Sequence, residues 1–286
     1  MGNLITPGGT AAILQKYNFN FQKQFGQNFL IDPHVLDKII RDSGITKEDT
    51  VIEVGPGIGT MTQALCENAG QVIAVEIDRN LIPILENDTL KDYDNVTVIN
   101  EDILNVDIKK LLSEHGAASA KVVANLPYYI TTPIILGLLK GKAPVESITV
   151  MVQKEVALRM QASVGEEDYS ALSLAVQYYA DVYYAANVPA NCFIPRPGVG
   201  SAVVRLDVLT EPRVSVKDEE LMFKLIRASF NQRRKTLMNG IKNSTELEFD
   251  RDAVASALER IGKDVSVRGE KLSLSDFAAL SDALGS

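Results

Sequence analysis

The sequence predicts an α/β protein with a mostly parallel sheet and a small helical domain at its C-terminal end. Three observations carry this. Short β-branched runs alternate with amphipathic stretches from residue 51 to about 160, the pattern of βαβ units. The first run, Val51-Ile-Glu-Val54, breaks into the glycine-rich turn Gly55-Pro-Gly-Ile-Gly59. After Glu211-Pro212 the patterning becomes purely helical.

In order, strands are expected at 51–54, 71–77, 96–100, 121–126 and 146–152, with helices at 60–69, 79–87, 106–115 and 132–140 between them. Helices at 153–162 and 170–177 follow. Two strand-like runs, 178–188 and 201–208, then flank the Pro/Gly-rich segment 189–200 with no helix between them. That predicts an antiparallel hairpin closing the sheet edge. The last helices are expected at 217–230, 234–242, 251–261 and 273–282. The division is a mobile basic arm over 1–24, the α/β domain over 25–210 and the helical domain over 211–286.

At 286 residues, with 46% hydrophobic and 23% charged residues, the composition is that of a soluble globular protein. No apolar run approaches the roughly 18 residues of a membrane span, and the N-terminus lacks the order of a signal peptide. Cys66 and Cys192 make no disulfide framework. Together with only His34 and His115 they leave no metal-ligand spacing. The expected setting is reducing cytoplasm, for a monomer without metal or membrane.

A net charge of −8 argues against a polyanionic partner until its distribution is considered. Residues 1–31 carry Lys16 and Lys23 and no acid. Residues 221–245 carry Lys224, Arg227, Arg233, Arg234, Lys235 and Lys242, again with no acid. Local fields steer a polyanion, so a basic stripe can serve RNA on an acidic protein. The alternative is a solvated helix face.

A strand ending in a glycine turn presents backbone N–H groups and a helix N-terminus to a ligand. The glycines stand at 55, 57 and 59, and Thr60 occupies the place of the third glycine of the dinucleotide fingerprint. That spacing disfavours NAD and suits S-adenosylmethionine, which has no pyrophosphate. Glu76, ending the next strand, is placed to accept the ribose hydroxyls, and Asp102, ending the third, to accept from the adenine amine. Glu53 either orders the glycine turn or contacts the amino end of the cofactor.

The fourth strand ends in Asn125-Leu126-Pro127-Tyr128. An adenine N6 lone pair is delocalised into the ring. The Asn125 side-chain oxygen and the Leu126 carbonyl are placed to accept its two hydrogens and turn that lone pair outward, with Tyr128 stacking on the ring. Because the sulfonium leaving group is already charged, positioning and electrostatics suffice.

Gly26-Gln-Asn-Phe-Leu30, Glu53-Val-Gly-Pro-Gly57, Asn125-Leu-Pro-Tyr128, Gln153-Lys-Glu-Val156, Phe193-Ile-Pro-Arg-Pro-Gly-Val-Gly-Ser201 and Phe230-Asn-Gln-Arg-Arg-Lys-Thr-Leu237 together resemble the small-subunit ribosomal RNA adenine N6,N6-dimethyltransferases. The resemblance runs from about residue 16 to the C-terminus. It implies a Rossmann-like class I methyltransferase sheet. It also implies transfer of two methyl groups to each of two adjacent adenines in a hairpin loop near the 3′ end of small-subunit (16S) ribosomal RNA, during subunit biogenesis. Asn28 and Leu30 would cap the cofactor beside Gly55 and Gly57, Glu76 would hold its ribose and Asp102 its adenine. Asn125 would serve both the cofactor edge and the target amine. Tyr128 and Phe193 would sandwich the flipped base. Lys23, Arg233, Arg234 and Lys235 would meet the RNA backbone, and the N-terminal arm would order over the site. The pattern departs at Arg196-Pro197-Gly198, and Met1 to Ala12 have no counterpart. The competing readings are a macrolide-resistance-type methyltransferase of large-subunit RNA and a non-catalytic ribosome-assembly factor.

Overall fold

The computed structural model describes residues 4–22, 26–141, 143–232 and 234–285. Lys23 and Arg233 therefore lie outside the described residues. The chain divides into two compact units, one of Met1–Ala157 with Asp181–Val208, the other of Leu158–Ala180 with Leu209–Ser286. No helix among the described residues is long and apolar enough to cross a membrane.

The first unit is built on a seven-stranded sheet: β2 (Thr50–Val54), β3 (Gln71–Glu76), β4 (Val96–Asn100), β5 (Ala120–Asn125), β6 (Val145–Gln153), β7 (Ala180–Val188) and β9 (Ser201–Val208). Their order across the sheet is β4-β3-β2-β5-β6-β9-β7. The β2–β3, β3–β4, β2–β5 and β5–β6 pairs are parallel, and β6–β9 is antiparallel. Both faces of β2, β3, β5 and β6 are covered, so these strands read as continuous apolar runs. The two late strands are neighbours at the sheet edge, as expected of the hairpin, with β7 outermost and β9 lying antiparallel against β6.

Helices α3 (Thr60–Asn68), α5 (Ile108–Glu114) and α6 (Thr131–Lys140) connect the strands near their expected positions. Between β3 and β4 the expected helix is short: α4 (Ile82–Ile84) widens into a π turn over Leu85–Thr89. α7 (Lys154–Gln161) follows β6.

Three elements precede residue 51, where none is read from the sequence. The segment expected to be an arm holds α1 (Pro7–Lys16), capped by the Thr6 hydroxyl on Gly9 N at 3.1 Å. Leu4 and Leu14 pack with Phe29, Ile58, Leu81 and Ile84, and Lys16 pairs with the buried Asp88 carboxylate. Two glycines weaken the intrinsic helix signal of Pro-Gly-Gly; burial of one face supplies what propensity does not. A two-stranded ribbon joins β1 (Phe29–Leu30) to β8 (Phe193–Ile194), antiparallel. Helix α2 (Pro33–Ser43) starts on an Asp32 cap and ends at Gly44, whose φ of 61° is left-handed.

The second unit comprises α8 (Ala171–Tyr179), α9 (Glu219–Asn231), α10 (Leu237–Lys242), α11 (Arg251–Arg260) and α12 (Leu274–Leu284). It takes residues 158–180, which were expected to belong to the α/β domain. The reason is aromatic packing: the Tyr169 hydroxyl donates to Leu272 O at 2.9 Å and its ring meets Phe230, while Tyr178 packs on Phe223.

Candidate cofactor and target-base site

The strand order switches direction between the parallel neighbours β2 and β5, the place where open parallel sheets bind ligands. Val54 pairs with Ala124, so Gly55 and Asn125 leave neighbouring strands at one level. A cleft of about 1050 Å³ opens there, lined by the glycine turn, by Gly26 to Leu30, by the ends of β3 and β5, by Glu101 to Ile103 and by Leu126 to Ile130.

The glycines fit this cleft for separate reasons. Gly55 has φ +69°, and a Cβ placed on it would meet nothing within 4 Å, so its outer face is open space. Gly57 also has positive φ, and its Cβ would come within 2.9 Å of the Phe29 ring. Gly59 N-caps α3 at φ 91°. The turn thus brings backbone to the cleft wall where a side chain would block it.

Glu76 is 4% exposed. Its Oε2 accepts from Gly57 N at 3.1 Å and its Oε1 from Asp78 N at 2.8 Å, which locks the strand end to the glycine turn. Burial pushes its carboxyl up to about 7, against those two hydrogen bonds. Each oxygen retains lone-pair capacity for a ligand hydroxyl. Glu53 is 0% exposed, and neither of its oxygens has a hydrogen-bond partner among the described residues. Burial pushes it up to about 8; the nearby Thr62 hydroxyl opposes the shift and the Glu76 carboxylate adds to it. Asp102 lies on the cleft wall and accepts from Leu104 N at 2.9 Å.

At the end of β5 the Asn125 amide donates to the Asn28 carbonyl at 2.9 Å. That bond assigns the nitrogen inward and leaves Oδ1 without a protein donor among the described residues. Asn28 in turn donates to Gly26 O at 2.9 Å. The Leu126 N–H is held by Met151 O at 3.2 Å, and Pro127 O accepts from Ile130 N at 3.2 Å and the Thr131 hydroxyl at 3.1 Å. Tyr128 is anchored by its hydroxyl, 2.7 Å from Ser201 Oγ, with its ring on the cleft wall.

The structure thus gathers Asn28, Leu30, Gly55, Gly57, Glu76, Asp102, Asn125, Leu126, Pro127 and Tyr128 around one cleft. Phe193 is a correction. It is 3% exposed, packed in one core cluster with Leu30, Leu36 and Cys192, and absent from the cleft lining. Of the two rings expected to sandwich the base, only Tyr128 lines the cleft. Three lining or supporting residues were missed: Gln27, whose amide donates to Asp78 at 2.8 Å, Asp78 itself, and Tyr129, which is 58% exposed at the cleft wall. The acid two places after Glu76 and the doubled tyrosine were the available signals.

In the second unit Arg234 and Lys235 lie exposed in the turn between α9 and α10 rather than within a helix, and neither forms an ion pair among the described residues. Two other cations of the basic run are neutralised. Lys224 pairs with Glu220 at 2.6 Å and Arg227 with Glu246 at 3.1 Å, acids that directly flank the acid-free run 221–245.

This sheet order with its ligand cleft defines a class I methyltransferase. A sequence model of the family described as ribosomal RNA adenine dimethylase matches residues 18–282. The chain is 62% identical over 285 residues to ribosomal RNA small subunit methyltransferase A of Lachnoclostridium phytofermentans, covering 99% of this chain and 98% of that protein. It is 48% identical to the protein of that name from Bacillus pumilus, over 99% of this chain and 97% of the other. Among solved structures it superposes on a dimethyladenosine transferase from Plasmodium falciparum with a TM-score of 0.72 and 27% identity, covering 88% and 95% of the two chains. The 23S rRNA methyltransferase ErmE shares the fold at a TM-score of 0.65 and 24% identity, over 91% and 100% of the chains. The chain belongs to the ribosomal RNA adenine dimethylase family.

Proposed function

We propose that this protein methylates N6 of two adjacent adenines in a 3′-terminal hairpin loop of small-subunit ribosomal RNA, using S-adenosylmethionine and carrying each base to the dimethylated product. The observation that carries this is Asn125: it lines the cleft, its nitrogen is committed to Asn28 and its oxygen has no protein donor among the described residues. The family membership and the relatives' names support small-subunit RNA over large-subunit RNA.

The cleft fits the cofactor on the evidence of its own atoms. It offers open space over Gly55, a carboxylate at Glu76 with spare acceptor capacity and a fully buried carboxyl at Glu53 without a hydrogen-bond partner among the described residues. When bound, S-adenosylmethionine supplies an electrophilic methyl on a positively charged leaving group. The protein's part is orientation. Asn125 Oδ1 and the Leu126 carbonyl accept the two N6 hydrogens and direct the lone pair. Tyr128 presents a ring face whose position Ser201 holds. Since Phe193 is buried, the stack is one-sided. The N6 proton is lost from a methylated, cationic amine, so no strong base is needed. Arg234 and Lys235 supply sequence-independent phosphate contacts. The protein acts as a cytoplasmic monomer in ribosome biogenesis.

The test is methyl incorporation from labelled S-adenosylmethionine into purified small and large subunits lacking the modification, with the modified bases mapped by mass spectrometry. Two adjacent dimethyladenines in small-subunit RNA support the proposal. Label confined to large-subunit RNA favours the macrolide-resistance type, and none in either favours an assembly factor.

A further inference from the structure

The helical unit contains a second cleft, of about 1020 Å³, between α10, α11 and the 265–266 turn. Its floor is apolar, with Ile241 and Val254 buried. Its walls are not. Phe249 is half-buried on the cleft wall, without an aromatic neighbour among the described residues, and Val265 is 40% exposed beside the opening. The Asn239 side-chain amide has no hydrogen-bond partner among the described residues. Lys242 and Arg251 line the cleft, exposed and outside any ion pair among the described residues. The acid on the rim, Asp250, is committed to capping α11 through Ala253 N at 2.7 Å. The Ser266 hydroxyl is tied to Asp264 at 2.5 Å.

An apolar floor with one aromatic residue on its wall, an amide without a hydrogen-bond partner and two cations outside any ion pair among the described residues fits a single nucleotide. The ring stacks a base, the amide reads a base edge with both donors and acceptors, and the cations meet the flanking phosphates. An apolar peptide would leave both cations and the amide unused. Thr236 lines the same cleft and directly follows Arg234 and Lys235, so the basic turn leads to its rim. We infer that this cleft holds one unstacked nucleotide of the RNA substrate, away from the bases that are methylated. The inference rests on the RNA-binding reading proposed above. It adds a built subsite to what was a charged surface.

The experiment measures binding of the full chain to small ribosomal subunits lacking the modification, across a salt series, with cofactor affinity and circular dichroism as controls. Phe249→Leu keeps apolar volume and removes the ring. It should weaken subunit binding about tenfold at every salt concentration, the scale of base–aromatic stacking, with the salt slope unchanged. Lys242→Gln with Arg251→Gln should instead lower the slope by about 1.5. Asn239→Ala, at an exposed position, should weaken binding severalfold and serves if Phe249→Leu fails to fold. Ultraviolet cross-linking of the complex should recover the peptide containing Phe249. Wild-type binding with unchanged affinity and slope in these variants, and no such cross-link, would overturn the subsite while leaving the proposed function standing. Failure of the wild type to bind small subunits would overturn both.

Discussion

The Asn125 side chain donates to the Asn28 backbone carbonyl at 2.9 Å, tying the end of β5 to the Gly26–Leu30 loop that lines the same cleft. One hydrogen bond therefore sets both the orientation of the amide and the position of its free oxygen. Asn125→Ala should reduce single-turnover methyl transfer by on the order of 10²–10³, the cost of losing one aligned polar group at a reacting centre. Subunit affinity should change less than threefold, because it draws on a broad basic surface. Rapid-quench transfer and filter binding on the same folded protein check this; a near wild-type rate would remove Asn125 from the chemistry.

Tyr128 and Ser201 form the support on the opposite side, 2.7 Å apart. Tyr128→Phe keeps the ring face but leaves the buried Ser201 hydroxyl without its partner. The expected loss is about 1 kcal/mol of stability with activity within a few-fold of wild type. Tyr128→Ala should lose the stack and most of the activity. Urea denaturation and turnover of the two variants separate these effects, and equal inactivity of both would point to a role for the hydroxyl itself.

Glu76 bridges Gly57 N and Asp78 N, so it shapes the glycine turn as well as offering acceptors to a ligand. Glu76→Ala should weaken S-adenosylmethionine binding by about 1.5–3 kcal/mol. Isothermal titration at pH 8 reads this directly. Unchanged affinity in a folded variant would refute the ribose assignment.

Glu53 makes stability depend on pH. Burial raises its carboxyl from the usual 4.5 to about 8, so between those values the folded chain holds a proton that the unfolded chain has released. Its contribution to stability therefore falls as pH rises through that window and is unperturbed below it. Glu53→Gln abolishes this titration. Relative to wild type the variant should gain roughly 1–3 kcal/mol between pH 5 and pH 9, less than the full shift implies because the charged form relaxes toward water. Denaturant midpoints at the two pH values test it; parallel pH profiles would show that Glu53 is ionised in the folded protein.

Arg234 and Lys235 are exposed cations without ion-pair partners among the described residues, unlike Lys224 and Arg227. Arg234→Gln with Lys235→Gln should lower the salt slope of subunit binding by about 1.5 and leave cofactor affinity unchanged. The same change at Lys224 and Arg227 should have a smaller effect, since their acids already neutralise them. Equal slopes for wild type and both pairs would make the basic run a solvated surface only.

The strands of the seven-stranded sheet, the glycine turn and the Asn125-Leu-Pro-Tyr128 corner were legible in the sequence because these are local: buried parallel strands are mostly apolar and positive-φ turns need glycine. Helix α2 was not read although its signals are local, with Asp32 as cap, Pro33 at its start and Gly44 at its end. Only the tertiary structure decided the rest. Helix α1 exists because Leu4 and Leu14 find Phe29 and Ile58, and Lys16 finds Asp88, partners remote in sequence. Phe193 lies in the core and off the cleft lining, among residues remote in sequence such as Leu30 and Leu36, and such packing is invisible to periodicity. The assignment of residues 158–180 to the helical unit followed from Tyr169 meeting Leu272 and Phe230. Local propensity reports what a segment prefers, whereas burial and hydrogen-bond satisfaction depend on which distant segment arrives beside it.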